Sequence, residues 1–461
     1  MTRPTLSVEF ALGGNGPGAA SYFTLDNTDK GVLDQNWLAP TSSPGVASPV
    51  WFTLDDTGRG KLDTGMLAGD ALGAGFWVDA SSYVRQIQTR RGRRRLTEAF
   101  ATGTATIVLE NNDRRFDPFN TAGPYAANGV SNLRSRVPCR IAATYAGTRF
   151  PLFAGFVDEW SPDYSEPGQG ACTVTVSDGF KILAGYDPPG LASAVGAGEL
   201  SGARINRILD NAGWPTVDRR IDTGVSPMQG TTLAANALSE LKLVADSERG
   251  DLLIDTDGAV LFRERHARNE RSASNTSQAI FGDAAGELEF ADCSQPVNDE
   301  LIKNVANIAR AGGSSQAAGS DSSQALYLKR TYTRTDLIVT TDAEALEYAR
   351  WIIRQFADQE QRVEQIALDP DGIDTVSDPA ADLWPHVCGR QIGDRITVNR
   401  RPLGGSLFTA ECWIEGISHD IGPLQSGKWT TKFDLSDASR SNAFLLDHAE
   451  LGQLDVNVLA Y

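Results

Sequence analysis

Acidic side chains occur in two close pairs that could supply the paired carboxylates of a glycoside hydrolase. Asp158 is followed directly by Glu159, and one proline separates Asp369 from Asp371. Glycoside hydrolysis needs one carboxyl group to protonate the leaving group and a second to act as base or nucleophile. Acidic pairs are also common in a chain with 59 Asp and Glu residues. Solvated turn residues are therefore the simpler interpretation of both pairs.

The four histidines form no recognisable catalytic or metal-binding motif. They stand apart from one another and from any Cys or Asp at ligand spacing: His266, His386, His419 and His448. The sequence also has no GxSxG elbow and no glycine-rich phosphate loop leading into a helix. Lone histidines in strand-rich domains are usually structural. We therefore predict a protein without enzymatic activity, without a metal site and without a cofactor.

Five arginines lie within six residues in the segment RRGRRR: Arg90, Arg91, Arg93, Arg94 and Arg95. Arginine forks match phosphate oxygens, so contact with nucleic acid is one interpretation. The other is the tip of a strand pair that binds an acidic protein surface. The chain carries a net charge of −17, which repels nucleic acid overall. We therefore favour a subunit interface, in which these arginines meet acidic residues of a neighbouring copy.

A seventeen-residue pattern, F-x-L-D-x-x-x-x-G-x-L-D-x-x-x-L-A, occurs twice near the start of the chain and once at its end. Its first six fixed positions are Phe23, Leu25, Asp26, Gly31, Leu33 and Asp34; then Phe52, Leu54, Asp55, Gly60, Leu62 and Asp63; then Phe444, Leu446, Asp447, Gly452, Leu454 and Asp455. The first aspartate of each copy can start a turn, and the glycine can adopt the left-handed conformation that closes it. Each copy is therefore predicted to be a β-hairpin.

An isolated two-stranded hairpin is marginally stable in water, so the apolar face of each repeat must dock on something. A calcium-binding loop does not fit, because the second copy places Thr57 and Arg59 where an EF-hand needs oxygen ligands. Two interpretations remain open: the repeats bind partner proteins, or they pack on this chain's own domains. The segment PTSSPGVASP between the first two copies resembles a flexible tether, which is typical of partner docking.

At 461 residues, the chain is too long for one ordinary core. We predict a mainly β fold with α+β insertions, in which two related β-barrel domains flank a small α+β domain and β-hairpin repeats occupy both termini. The predicted divisions are an N-terminal region with two repeats (1–80), a first barrel (81–186), the α+β domain (187–297), a second barrel (298–438) with a helical insertion at about 341–359, and a C-terminal repeat (439–461).

Local patterns support these divisions. The segment GTATIVLEN alternates as a half-buried strand does. In the middle of the chain, Ser201 is the predicted N-cap of a helix, a second helix is predicted from about Leu233 to Ser247, and Asp257-Gly258 predicts a hairpin. Further on, residues 311–325 are predicted to form a mobile loop because they have nothing apolar to bury. The sequence from Thr341 has the spacing of a capping box and predicts a third helix.

The two predicted barrels also resemble each other. VPCRIAA around Arg140 matches IGDRITV around Arg395, and FVDEWSPD (156–163) matches WIEGISHD (413–420). TVTVSDG (173–179) then corresponds to KFDLSDA (432–438), so the offset stays nearly constant. This weak repeat predicts an internal duplication.

The remaining composition is that of a protein made and kept in solution. The five cysteines form no CxxC pair, which argues against a zinc site or a disulfide scaffold. The first residues lack the pattern of a signal peptide, and no apolar run has the length of a membrane span. We expect synthesis in the cytoplasm.

Residues 82–183 carry a family resemblance. RGRRRLTEAFATGTATIVLENNDRRFDPFN, followed by LFAGFVDEWSPDY and TVTVSDGFKIL, resembles the minor tail proteins of long-tailed bacteriophages of actinobacteria. The asparagine-rich turn LENNDRRFDP is the most distinctive piece. More broadly, the chain is similar in plan to the central hub protein of phage baseplates, which has two related barrels around a small α+β domain. The repeats at the two ends depart from that plan.

The resemblance implies a structural virion protein at the tail tip that forms a homotrimer. The two barrels of each copy would alternate around a ring that continues the tail tube and lets DNA pass through its channel. The implied partners are the distal tail protein, the tape-measure protein and tail-tip or fibre proteins. Two alternatives remain: a tail-tip protein that binds or hydrolyses cell-wall glycans, with Trp160, Trp384 and Trp413 as candidate platforms, and the distal tail protein itself.

Overall fold

The computed structural model describes residues 3–12, 77–127, 129–164, 170–296, 299–358, 362–372, 382–422 and 427–439. Strands dominate these residues, and most belong to one 13-stranded sheet. The strands are β1 (Thr5–Ala11), β2 (Trp77–Asp79), β3 (Val84–Gly92), β4 (Thr104–Glu110), β5 (Ala126–Ala127), β6 (Val130–Ser131), β7 (Pro138–Tyr145), β8 (Thr148–Asp163), β9 (Ala171–Ser177), β10 (Arg219–Ile221), β11 (Asp251–Ile254), β12 (Val260–Arg263), β13 (Ser277–Phe281), β14 (Asp292–Ser294), β15 (Val305–Arg310), β16 (Gln316–Gly319), β17 (Thr331–Leu337), β18 (Gln365–Leu368), β19 (Arg395–Arg400), β20 (Phe408–Ile421) and β21 (Trp429–Asp437).

The helices are short and lie mainly in the middle third of the chain. They are α1 (Gly179–Ala184), α2 (Ser201–Asn211), α3 (Ala237–Glu248), α4 (Ala267–Glu270), α5 (Ser272–Asn275), α6 (Asp321–Tyr327), α7 (Asp342–Phe356) and α8 (Trp384–Gly389). In the residues that the structure describes, no helix is both long enough and apolar enough to span a membrane.

The large sheet runs in the order β14-β18-β21-β20-β3-β4-β9-β8-β7-β1-β2, with β19 also paired to β20 and β13 paired to β19. All of its neighbours are antiparallel except β13 and β19. The predicted alternation of β4 is confirmed, because Ala105, Ile107 and Leu109 are buried between more exposed neighbours. The mainly β prediction is therefore confirmed. The order is an open path, so the described residues contain no closed barrel.

Two halves of this sheet repeat the same strand order. The series β4-β9-β8-β7 and the series β18-β21-β20-β19 are both antiparallel throughout. Each series has a β-bulge in its long strand, between Val157 and Glu159 in β8 and between Ile414 and Gly416 in β20. Because bulges have specific positions in a fold, their match supports the duplication seen in the sequence. The two series are joined where β3 pairs with β20.

The middle of the chain packs α2 and α3 beside the three-stranded sheet β10-β12-β11. The predicted hairpin is confirmed, since β11 and β12 pair on either side of Asp257-Gly258. Two details of the prediction are wrong. The N-cap of α2 is Leu200, so Ser201 is already the first helical residue. The second helix begins at Ala237, where the Asn236 side chain accepts from the Ser239 amide and supplies a stronger start signal.

The helical insertion has its own small core. Helix α7 opens with the predicted capping box, in which Thr341 and Glu344 bond each other's backbone amides, and it packs on the sheet β16-β15-β17. The prediction of a mobile loop at 311–325 is wrong, because this range contains β16 and most of α6. Backbone pairing with β15 and the Ser320 cap of α6 order a stretch that has little to bury.

Candidate functional site

The arginine segment lies where the two halves of the large sheet meet. Strand β3 pairs antiparallel with β20, and at Gly92 the two backbones lie so close that an added Cβ would be 2.3 Å from the carbonyl oxygen of Glu415. Gly92 also has a φ of +98°, which a residue with a side chain rarely adopts. Directly after it, the Arg93 amide donates to the same carbonyl oxygen at 2.9 Å. The glycine in RRGRRR therefore allows the close approach of the two backbones that positions the arginines.

Arg93 belongs to a closed ring of four charges, which we call the charge ring: Arg93, Asp251, Arg268 and Glu415. Three of these residues are buried, and the side chain of Arg268 is 13% exposed. Arg93 donates to Glu415 at 2.8 Å and to Asp251 at 2.9 Å. Arg268 donates to Glu415 at 2.7 and 3.1 Å and to Asp251 at 2.9 Å. Opposite charges alternate around the ring, so each is paired twice and the desolvation of each is offset.

The charge ring connects the two halves of the large sheet with the middle of the chain. Arg93 follows β3, Asp251 opens β11, Arg268 is in α4, and Glu415 is the bulge residue of β20. Burial tends to raise the pKa of Glu415, but the guanidinium charges of Arg268 and Arg93 outweigh it and hold that pKa well below its usual range. The corresponding bulge residue of β8, Asp158, instead pairs with Lys181 at 2.7 Å near the surface.

The other four arginines of the segment differ in exposure. Arg91 is buried, with a hydrogen bond to Gln391 at 3.4 Å, and burial lowers its pKa to about 10. Arg95 is partly buried and pairs with Glu300 at 2.8 Å. Arg90 and Arg94 are exposed. Arg90 lies 3.6 Å from Asp434, whereas Arg94 has no ion pair within the described part of the chain.

The sequence did not reveal the partners of Arg93. Glu415 is 322 positions away from it, and its immediate neighbours in the sequence, WIEGISHD, carry no feature that distinguishes it from a surface acid. The one available signal is its alignment with Asp158 in the internal repeat, which places both acids at equivalent bulges.

The candidate carboxylate pairs have structural roles. Asp158 also accepts from the Ser177 hydroxyl at 2.6 Å. Asp371 pairs with Arg3 at 2.6 Å and accepts from the Trp429 amide at 2.8 Å. Asp369 forms an ion pair with Lys428. Within the described ranges, no three His, Cys, Asp or Glu side chains are grouped so that they could hold a metal ion.

Two histidines are shielded from water, since His419 is buried and His386 is half-buried. Burial, together with the nearby charge of Arg91, lowers the pKa of His419 to about 3. Its Nδ1 lies 2.8 Å from the Thr431 hydroxyl. Burial also lowers the pKa of His386 to about 4. Both rings are therefore neutral at pH 7.

The aromatic residues considered as glycan platforms are core residues. Trp160, Trp384 and Trp413 are at most 7% exposed, and the indoles of Trp160 and Trp413 donate to backbone carbonyl groups at 3.0 and 2.8 Å. The prediction that these three form a binding surface is wrong, because their rings pack inside the sheet structure. The eighteen repeat residues, from Phe23 to Asp63 and from Phe444 to Asp455, lie outside the described residues, as does His448.

Comparisons with known proteins found similar folds but no related sequence. No protein-family model matches the sequence, and a search of curated proteins gave no match. The fold is similar to that of a 43 kDa tail protein of prophage MuSo2 from Shewanella oneidensis, with a TM-score of 0.51, 14% identity and coverage of 79% of this chain and 97% of that one. It is also similar to a tail protein from Neisseria meningitidis MC58, with a TM-score of 0.51, 11% identity and coverage of 79% and 94%.

Proposed function

We propose that the chain is a structural protein of a bacteriophage tail, and that it forms the trimeric hub of the tail tip. The observation that carries this proposal is the duplicated strand series with matching bulges, in a fold similar to that of a prophage tail protein and of a second tail protein. Three copies of a duplicated chain place six similar units around one axis. Such a ring can continue a six-fold tail tube with closed symmetry.

In this role the hub joins the tail tube to tip and fibre proteins and leaves a channel for DNA. Its neighbours would be the distal tail protein, the tape-measure protein and the tip or fibre proteins, in a virion assembled from subunits made in the host cytoplasm. The net charge of −17 per copy suits a channel wall, because an acidic surface repels DNA phosphates and lets the genome slide.

The proposed role involves no catalysis. Asp158, Asp369 and Asp371 are engaged in ion pairs and hydrogen bonds, Glu159 is exposed on the surface, and the candidate tryptophans are buried. A glycan hydrolase at the tail tip would need a carboxylate pair facing a cleft. Release of reducing sugars from host cell walls by the purified chain would contradict the proposal and favour that alternative.

The arginine segment is proposed as a subunit interface, with the contact made by its exposed members. Arg93 and Arg91 are engaged inside the chain, so we assign the contact to Arg90 and Arg94, with Arg95 at its edge. The test is the double variant Arg90→Glu and Arg94→Glu, which reverses two exposed charges without touching the charge ring.

We expect this double variant to lose the trimer, as measured by native mass spectrometry at physiological salt. A matched control is Arg350→Glu, another exposed arginine, which pairs locally with Glu347 on α7. A trimer that survives in the double variant would remove the arginines from the interface. Equal loss in the control variant would point to net charge and not to the site.

The two N-terminal repeats, which begin at Phe23 and Phe52, are proposed as docking elements for neighbouring tail proteins. Deletion of residues 21–69 removes both copies and the tether between them. We expect the deleted chain to keep its oligomeric state but to lose one partner when candidate tail proteins are tested in pull-down. Retained binding of every partner would favour the other interpretation, in which the repeats pack on their own chain.

A further inference from the structure

A cleft lies beside the arginine segment and next to the point where the described chain ends. It is a shallow cleft, in which the space counted out into open solvent is about 530 Å³ and the space that water-sized spheres can occupy is about 40 Å³. Two half-buried leucines, Leu96 and Leu301, line it together with the buried residues Phe356 and Val363. The cleft therefore offers an apolar surface that an apolar side chain can cover.

Arginines outnumber acidic residues around this apolar surface. Arg94, Arg95 and Arg362 line the cleft together with Glu364 and Asp437. Arg94 is exposed and has no ion pair among the residues that the structure describes, whereas Arg95 is bonded to Glu300. In a chain with a net charge of −17, a basic rim around an apolar cleft is typical of a site for an acidic and apolar segment.

We propose that the occupant of this cleft is the C-terminal segment of the same chain, residues 440–461. Strand β21 supplies Asp437 to the cleft wall, and the last described residue is Ser439. Phe444 follows Asp437 by seven residues, which can span about 23 Å. The spacer is therefore long enough to bring Phe444 within reach of the cleft.

The composition of the C-terminal segment fits the cleft. It contains the apolar run Phe444-Leu445-Leu446, and three carboxylates follow this run: Asp447, Glu450 and Asp455. The hydrophobic run can fill the apolar floor while the acids face the arginine rim. This proposal assigns the third repeat to its own chain, and it does not depend on the proposed role in a phage tail.

The N-terminal repeats are less suited to this cleft by position. They lie between β1 and β2, which form the end of the strand order that is farthest from β14, β18 and β21. The third repeat follows β21 directly. The effective concentration of the third repeat at the cleft is therefore higher than that of the N-terminal repeats.

Hydrogen–deuterium exchange of the full-length protein tests the proposal. We expect slow exchange in the amides of residues 440–461 and in peptides that cover Leu96 and Leu301. Phe444→Ser should accelerate exchange in both regions by about 30-fold, because the burial of one phenylalanine is lost. Phe23→Ser is the matched control and should leave both regions unchanged.

Mixing two variants separates docking within a chain from docking between chains. Phe444→Ser chains keep an intact cleft, and Leu96→Asp chains keep an intact C-terminal segment. If docking occurs only within one chain, the C-terminal segments of both variants exchange fast after the two are assembled together. Protection restored by mixing would assign the cleft to a neighbouring copy and overturn the proposal. Fast exchange of residues 440–461 in the unaltered protein would overturn it too. Faster exchange of the peptides that cover Leu96 and Leu301 in Phe23→Ser would do the same.

Discussion

Replacing Glu415 with glutamine removes one of the four charges of the charge ring. Glu415 is 0% exposed and accepts hydrogen bonds from Arg93 and Arg268. In the variant, Asp251 is the one carboxylate that the two guanidinium groups still share. The amide group of the new glutamine turns an N–H group toward an arginine N–H group, where no hydrogen bond can form. The ring then carries an uncompensated positive charge.

The size of the effect follows from this burial. Removing one partner of a buried ion pair costs about 3–5 kcal/mol, because the remaining charge stays desolvated. Glutamine keeps the shape and one acceptor, so we expect a loss near the lower end, about 3 kcal/mol of the free energy of unfolding. That is a large fraction of the roughly 5–15 kcal/mol that stabilises a typical domain.

A second glutamate on the same strand provides the control. Glu411 pairs with Arg395 at 2.9 Å, and its side chain is 29% exposed. Because water screens this pair, Glu411→Gln should cost at most about 1 kcal/mol. Calorimetry and denaturant unfolding of both variants make the comparison. If Glu415→Gln costs no more than Glu411→Gln, the charge ring does not hold the two halves of the sheet together.

The same variant has a predicted pH dependence. The pKa of Glu415 in the folded state lies below its value in the unfolded chain. Its stabilisation is therefore fully present above the ordinary carboxyl pKa of about 4.3 and is lost as the pH falls through the folded value. The difference in stability between the unaltered protein and Glu415→Gln should be constant above about pH 5 and should shrink below about pH 4. A difference that grows on acidification would contradict this sign.

Two further predictions concern the same part of the sheet. Burial lowers the pKa of His419 to about 3, so the stability that its neutral ring contributes is present above the unfolded pKa of about 6.5 and is lost as the pH falls toward 3. His419→Gln should therefore remove about 1.4 kcal/mol per pH unit from the slope of stability against pH between pH 6 and pH 4. An unchanged slope would mean that the ring is not buried as a neutral group. Gly92→Ala should destabilise the protein by more than about 1 kcal/mol in thermal unfolding, because the added Cβ meets the carbonyl oxygen of Glu415 at 2.3 Å. Gly129→Ala is its control, with a φ of +76° and open space around it, and equal losses in the two would reduce the effect to backbone strain alone.

Local features of the fold could be predicted because neighbouring residues determine them. The capping box at Thr341 and the hairpin at Asp257-Gly258 are short-range patterns, and both are confirmed. The mainly β character followed from alternation such as that of β4. The internal repeat predicted strand series that share one order. All of these depend on residues that are close in sequence or on direct comparison of two segments.

The remaining features depend on contacts between distant residues. A single arginine cluster cannot show that Arg93 is buried beside Glu415 while Arg94 remains exposed, since this difference arises where β3 pairs with the distant strand β20. The error at 311–325 has a related cause. Composition indicated a mobile loop there, but pairing with β15 supplies the backbone hydrogen bonds that order β16.

Electron microscopy of the purified full-length protein tests the trimeric hub most directly, with particles averaged without imposed symmetry. The proposal predicts rings of three copies, with six similar lobes around an open channel. Single copies, or rings of six copies, would contradict it, and the ring of six would favour the distal tail protein instead.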